Sequence, residues 1–181
     1  MDAMEMLLNR RSIRKFKPEQ IKDEELEAVI KAGMYAPTAM GLQSPFILAV
    51  QDPEDIAKIN QIKIDLNKAA GFPARPGLPY YGAPTIIVVF TTPRAKDEFL
   101  GTLDAAAVNT NMLNAAYSLG LGGVWIHRSD AIFASEEGKK LLKKWDITEE
   151  VKGIASMALG YPDCENPEPR PRREGYYKIV K

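Results

Sequence analysis

The residues best suited to chemistry lie near the start of the chain, in Asn9-Arg10-Arg11-Ser12-Ile13-Arg14-Lys15-Phe16. Three arginines and a hydroxyl fall within five positions, after Leu7 and Leu8 and interleaved with Ile13 and Phe16. A guanidinium presents its N–H donors in a planar fork that matches phosphate oxygens, and serine adds a hydroxyl donor. The apolar positions would anchor the segment to a core while the arginines converge on an anion, which makes the stretch a candidate phosphate clamp. A solvated charge run, an address signal or a nucleic-acid arm has the same composition. The far end of the chain favours the clamp, because Pro169-Arg170-Pro171-Arg172-Arg173 repeats the arginine chemistry in a proline-stiffened form. Two arginine clusters at opposite ends of a chain with no net charge are poor solubility devices.

Other chemistries find less support. His127 is the only histidine and stands beside Arg128 after an apolar run, either as an orienting polar residue or as a proton donor. One histidine and one cysteine, Cys164, cannot build a usual zinc site, and no carboxylate pair has metal-ligand spacing. The nucleophile-elbow and phosphate-loop signatures are absent. Gly120-Leu121-Gly122 has part of a dinucleotide fingerprint but follows a helical pattern and precedes a strand, the reverse of the required order. Anion-binding clusters without an evident acid, base or nucleophile set point to a chain that leaves its chemistry to a phosphorylated cofactor.

Composition sets the frame for these residues. With 181 residues, 45% hydrophobic and 27% charged, the chain suits one globular domain over 1–181. Lysine plus arginine and aspartate plus glutamate both number 24, so no overall basic field draws it to nucleic acid or to an anionic membrane. A single cysteine leaves no intrachain disulfide and fits a reducing cytosol. No apolar stretch of signal-peptide or membrane-spanning length is present. The expectation is a cytoplasmic protein.

The elements that must position the arginines can be read in order. Met4, Leu7 and Leu8 have helical spacing, so a short helix leads into the basic stretch. Asp23 reads as an N-cap for a helix whose stripe is Leu26, Val29, Ile30 and Met34, ended by Pro37. A small, polar, proline-bounded turn from Ala36 to Pro45 opens into the strand Phe46–Val50. Asp52-Pro53 caps a helix carrying Ile56, Ile59 and Ile62. Gly71 to Gly82, with Pro73, Pro76, Pro79 and Tyr80-Tyr81, reads as an exposed loop and a candidate lid. Thr85–Phe90 is a central strand, Leu103–Leu119 a buried helix stopped by Gly120, and Gly122 to Ile126 a strand. A basic amphipathic helix holds Leu141 to Trp145, and Ile154–Leu159 is a further strand. Residues 162–173 are too proline-rich for regular structure, whereas Tyr176–Val180 has strand propensity suited to reaching a neighbouring subunit. The mix predicts an α+β layer fold.

Together these landmarks resemble the nitroreductase family of FMN-dependent oxidoreductases. The resemblance is carried by Arg10-Arg11-Ser12-Ile13-Arg14-Lys15-Phe16, by Ala36-Pro37-Thr38-Ala39-Met40 with Gln43, by Leu119-Gly120-Leu121-Gly122-Gly123-Val124-Trp125-Ile126, and by Arg170-Pro171-Arg172. It implies a mixed, mainly antiparallel sheet flanked by helices, and a homodimer in which residues 162–181 form an exchanged arm. It also implies FMN at the dimer interface, NAD(P)H as transient donor, and a nitroaromatic, quinone or similar small molecule as acceptor, with no nucleic acid and no membrane. Arg10, Arg11, Ser12 and Arg14 match the family's phosphate and ribityl contacts, with Arg170 and Arg172 closing over the phosphate. Pro37, Thr38 and Ala39 match the loop given by the other subunit, and Gly41 and Gln43 are further cofactor-binding positions. Trp125, Ile126, His127 and Arg128 match the segment whose backbone lies near flavin N5. The chain departs from the family at Gly41, where asparagine is frequent, a loss of one hydrogen bond worth roughly 0.5–1.5 kcal/mol. It departs again at His127 and Arg128, where a small residue or a carboxylate is frequent. The remaining alternatives are another flavin enzyme on the same fold, such as a specialised dehydrogenase or reductive dehalogenase, or a non-catalytic flavin- or RNA-binding module.

Overall fold

The most apolar run of the chain becomes the centre of the molecule. The computed structural model describes residues 2–73 and 76–181. Four strands, β1 (Pro45–Val50), β2 (Thr85–Thr91), β3 (Gly122–Ile126) and β4 (Lys152–Gly160), form a sheet in the order β1-β2-β4-β3 with every neighbour antiparallel. A parallel bridge from Ser12 to Gly123 adds to its β3 edge. β2 is buried along its whole length, and its alternate residues feed opposite faces. Ile86, Val88 and Phe90 join one apolar cluster, and Ile87 and Val89 the other.

Helices cover both faces. Towards Phe90 lie α3 (Pro53–Ala69), α5 (Ser129–Ala134) and α6 (Glu136–Lys144), contributing Ile59, Ile132, Phe133 and Leu141. Towards Val89 lie α2 (Asp23–Met34) and α4 (Glu98–Ser118), contributing Val29, Val108, Met112 and Leu113. The helices α2 and α4 touch where Gly33 leaves room: a Cβ there would stand 2.7 Å from Met112 Cγ. The remaining helix, α1 (Ala3–Asn9), buries none of its residues in this chain.

The α+β fold and most expected elements are present, with local differences that have physical causes. The helix α4 begins at Glu98 rather than Leu103, because the Asp97 side chain caps it by accepting from the Leu100 N–H at 2.8 Å. The N-cap of α2 is Lys22 rather than Asp23, since the Glu25 carboxylate reaches back to the Lys22 N–H at 2.9 Å. Gly33 takes the buried place expected of Met34, which is exposed. The helix α5 was not expected; six residues carry too little periodicity to read. Tyr176–Val180 forms no strand in the single chain, because no sheet edge lies alongside it.

The loop from Gly71 to Gly82 also differs from an open lid. Ala74 and Arg75 lie outside the described residues, but Tyr80 is fully buried, its N–H donating to Asn60 Oδ1 and its hydroxyl paired with Ser156 Oγ at 2.9 Å. Burial pushes its phenol up to about 12, with the hydroxyls of Ser156 and Ser129 opposing.

Close backbone contact sets the seat of α5. A Cβ on Gly153 of β4 would stand 2.6 Å from the Ser129 carbonyl oxygen, which cannot retreat without moving the α5 entrance. Gly153→Ala should therefore lose about 1–3 kcal/mol of stability, the usual cost of overpacking. Urea denaturation measures it, and an unchanged midpoint would contradict this packing.

Candidate functional site

The basic stretch is laid along the β3 edge by its own backbone and by Ile13. The Ile13 N–H donates to the Gly123 carbonyl at 3.2 Å, and the buried Ile13 side chain fills the space beside Gly122. A Cβ on Gly122 would stand 2.8 Å from Ile13 Cγ2, so glycine at that position lets the stretch lie flat on the strand. Further along, Lys17 N–H donates to the Tyr161 carbonyl and Asp163 N–H to the Lys15 carbonyl, while Lys15 and Asp163 pair at 2.8 Å. The start of the C-terminal segment thus runs back along the basic stretch, and Asn166 Nδ2 reaches the Asn9 carbonyl at 2.8 Å.

The arginines so positioned lack counter-charges. Among the described residues, none of Arg10, Arg11 and Arg14 pairs with a carboxylate. Arg10 is half-buried, and burial first, then the adjacent Arg11 charge, holds its guanidinium below its usual value. Arg11 turns back and donates to the Leu8 and Arg10 carbonyls, each at 2.8 Å, yet its Nε is buried without a partner. Trp125 Nε1 on β3 is also buried without a partner. These orphaned groups are donors, so this edge is short of acceptors, and an acceptor-rich anion fits it. Arg14 is exposed and donates to the Ser12 carbonyl at 3.3 Å, which leaves most of its fork free.

Beyond β3 the chain turns sharply through His127 and Arg128. A buried hydroxyl cluster underpins this turn: Ser156 Oγ donates to the Ile126 carbonyl at 3.1 Å and lies 2.9 Å from both Tyr80 Oη and Ser129 Oγ. Lys63 of α3 reaches across to donate its Nζ to the His127 carbonyl. Burial first, then the charge of Arg128, brings the Lys63 amine down to about 8, with Asp130 opposing. Arg128 Nη1 donates to Asn67 Oδ1 at 3.0 Å, and its guanidinium carbon lies 4.9 Å from the Phe72 ring centroid. The His127 side chain is exposed, its ring 5.9 Å from that of Trp125.

The third expected group, Pro37 to Gln43, is held elsewhere. The buried Asp104 of α4 accepts from the Ala39 N–H at 2.8 Å and from Ser44 Oγ at 2.7 Å, and Thr38 Oγ1 accepts from the Gln43 N–H. A single 3-10 turn at Ala39–Gly41 results, with positive φ at Met40, Gly41 and Gln43 and with Pro37, Met40, Gly41 and Gln43 exposed. Arg170 and Arg172 are exposed too, and among the described residues the Arg172 guanidinium donates only to the Arg170 carbonyl. One chain therefore brings Arg10, Arg11, Ser12 and Arg14 beside Trp125 and Ile126, but not to the Pro37–Gln43 loop or to Arg170 and Arg172.

Sequence reasoning missed Lys63. Its signal was present: Lys63 follows Asn60 by three positions and Ile59 by four, so it shares with Asn60 and Asp55 the buried side of the helix that carries Ile59 and Ile62. Among the described residues, no three His, Cys, Asp or Glu side chains are grouped so as to hold a metal ion. No helix among them is long and apolar enough to cross a membrane.

Comparison with known proteins places this geometry among relatives. The family model described as the nitroreductase family matches residues 7–161. A protein of Archaeoglobus fulgidus is 32% identical over 167 residues, 91% of this chain and 87% of its own length. An NADPH-flavin oxidoreductase of Vibrio harveyi is 32% identical over 176 residues, 94% of this chain and 70% of its own length. The crystal structure of a nitroreductase with bound FMN from Bacteroides fragilis is similar over 100% of both chains, with TM-score 0.88 and 27% identity.

Lys63 gives the site a pH signature in the absence of any ligand. Its amine titrates near 8 in the folded chain against a usual 10.5. Below that window both states hold the proton and the desolvated charge weakens the fold. Between the two values only the unfolded chain is protonated, so stability rises with pH. Lys63→Met should flatten the rise between about pH 8 and 10.5 in urea denaturations. A rise as steep in the variant as in the native protein would contradict the assignment.

Proposed function

Since this chain belongs to the nitroreductase family, we propose that it is an NAD(P)H-dependent FMN oxidoreductase acting as a homodimer, with 1–181 as one flavin-binding domain. FMN, when bound, would supply the hydride chemistry between NAD(P)H and a nitroaromatic, quinone or similar acceptor, with the two substrates using one open face in turn. The observation that carries this reading is the row of unpaired donors along β3: the half-buried Arg10, the orphaned Arg11 Nε and the orphaned Trp125 Nε1.

The chain's own residues bind, orient and tune. Arg10, Arg11, Ser12 and Arg14 hold the phosphate and ribityl chain, and fixed guanidiniums supply charge-assisted hydrogen bonds there. The backbone of Trp125, Ile126, His127 and Arg128 frames the reactive edge of the ring. Lys63 donates into the same turn, and its positive charge there would favour a reduced ring carrying negative charge. Pro37, Thr38 and Ala39 come from the second subunit, Gly41 and Gln43 add flavin contacts, and Arg170 and Arg172 close over the phosphate. A second chain is also what the exposed apolar groups call for: Met4, Leu7 and Leu8 on α1, Phe99 and Leu103 on α4, and Tyr177, Ile179 and Val180 in the arm. The arm, residues 162–181, crosses to the partner and pairs with the open edge of β1. Acid–base work at the acceptor needs no fixed side chain, and the single-cysteine composition suits a cytoplasmic setting.

The test is the colour of the purified protein and its response to a donor. It should carry yellow FMN, bleach with NADH or NADPH without oxygen, and regain colour with a quinone. A colourless protein that ignores added FMN, or a yellow one that neither nicotinamide bleaches, would end this reading.

A further inference from the structure

Arg128 is a residue of the β3 exit that flavin binding through the backbone leaves unexplained. Its φ of 71° and ψ of 35° are left-handed, a conformation that costs a residue bearing a Cβ about 1–2 kcal/mol and that glycine adopts freely. An arginine at such a point calls for a use of its side chain. The guanidinium is fixed from two sides, by Asn67 Oδ1 at 3.0 Å and by the Phe72 ring at 4.9 Å, and both partners are neutral. Phe72 is 56% exposed and His127 beside it is also exposed, so the stacked pair stands at the outer lip of the turn. Lys63 lies near enough for Arg128 to disfavour its charge, and among the described residues neither pairs with a carboxylate. A pre-positioned fork with one N–H engaged and no counter-ion is built to grip a planar anion in bidentate fashion.

We propose that Arg128 selects, among the small molecules that exchange at the site, acceptors bearing a carboxylate. This rests on the flavin reading above. Lys63 serves the ring side of the turn, and Arg128, held outward by Asn67 and Phe72, serves the substrate side. The nitro or quinone group accepts the hydride, while the carboxylate remains unchanged as the handle that orients it.

The FMN-loaded protein provides the test. The ratio of kcat/KM for 4-nitrobenzoate to that for 4-nitrobenzyl alcohol, measured with one donor, cancels any general effect of a substitution. Benzoate binding to the oxidised protein, followed by calorimetry, adds a readout without turnover. The native ratio should exceed about 10, the tenfold to hundredfold range of a charge-assisted hydrogen bond. R128Q should bring the ratio towards one and weaken benzoate about tenfold or more, whereas R128K, which keeps the charge without the fork, should fall between. A native ratio near one, or a ratio and benzoate affinity that R128Q leaves unmoved, would overturn the proposal. So would a preference for NADPH over NADH that R128Q abolishes while the acceptor ratio stays fixed, since the arginine would then read the donor's phosphate. A colourless protein inert to nicotinamides would remove the flavin reading and this inference together. A yellow, active enzyme indifferent to acceptor charge would remove this inference alone.

Discussion

The backbone bridge between Ser12 and Gly123 is the constraint on which the site depends. It can form because Gly122 has no side chain and Ile13 fills the space left beside it. Once Ile13 is buried, its neighbours in sequence have no choice of place, and Arg10, Arg11 and Arg14 are carried to the same sheet edge. Their charges are thus gathered by packing, not by mutual attraction, and like charges held together by packing raise the energy of the bare site. The guanidinium of Arg10, lowered by burial first and by the Arg11 charge second, reports part of that cost. An anion with several oxygens would relieve it, and the phosphate at the end of the FMN ribityl chain is such an anion.

The same logic runs through the far side of the site. The hydroxyl cluster of Tyr80, Ser129 and Ser156 holds the Ile126 carbonyl, and Gly153 lets the entrance of α5 sit directly on β4. This rigid floor fixes the turn at His127 and Arg128, against which Lys63 is desolvated. Asp104 does comparable work for the Pro37–Gln43 loop, turning one buried carboxylate into a clamp on two segments. Each clamp is complete within one chain. The exposed α1 stripe, the exposed loop tip and the unpaired arm are not, and the proposed homodimer is what would complete them.

Much of this was legible in the sequence because it is written in local patterns. The uninterrupted apolar run of β2, the Asp52-Pro53 cap and the Gly120 stop each fix an element by short-range chemistry. The basic stretch was legible for the same reason, its arginines being adjacent in the chain. What escaped notice depends on contacts between distant residues. Tyr80 looked exposed because prolines and glycines surround it, yet Asn60 and Ser156 give it buried partners. Lys63 looked like one more helix lysine until α3 was laid beside the His127 carbonyl. The arm's strand propensity remains a propensity in a single chain, because strand formation needs an edge that this chain does not offer it.

The central claim is that the amino-terminal arginines exist to hold a phosphate, and comparing FMN with riboflavin isolates that group. Fluorescence titration of the flavin-stripped protein should give FMN an affinity on the order of a hundredfold or more above that of riboflavin, with Arg10→Gln narrowing the gap. Equal affinities for the two flavins would contradict the account, whatever colour the protein carried.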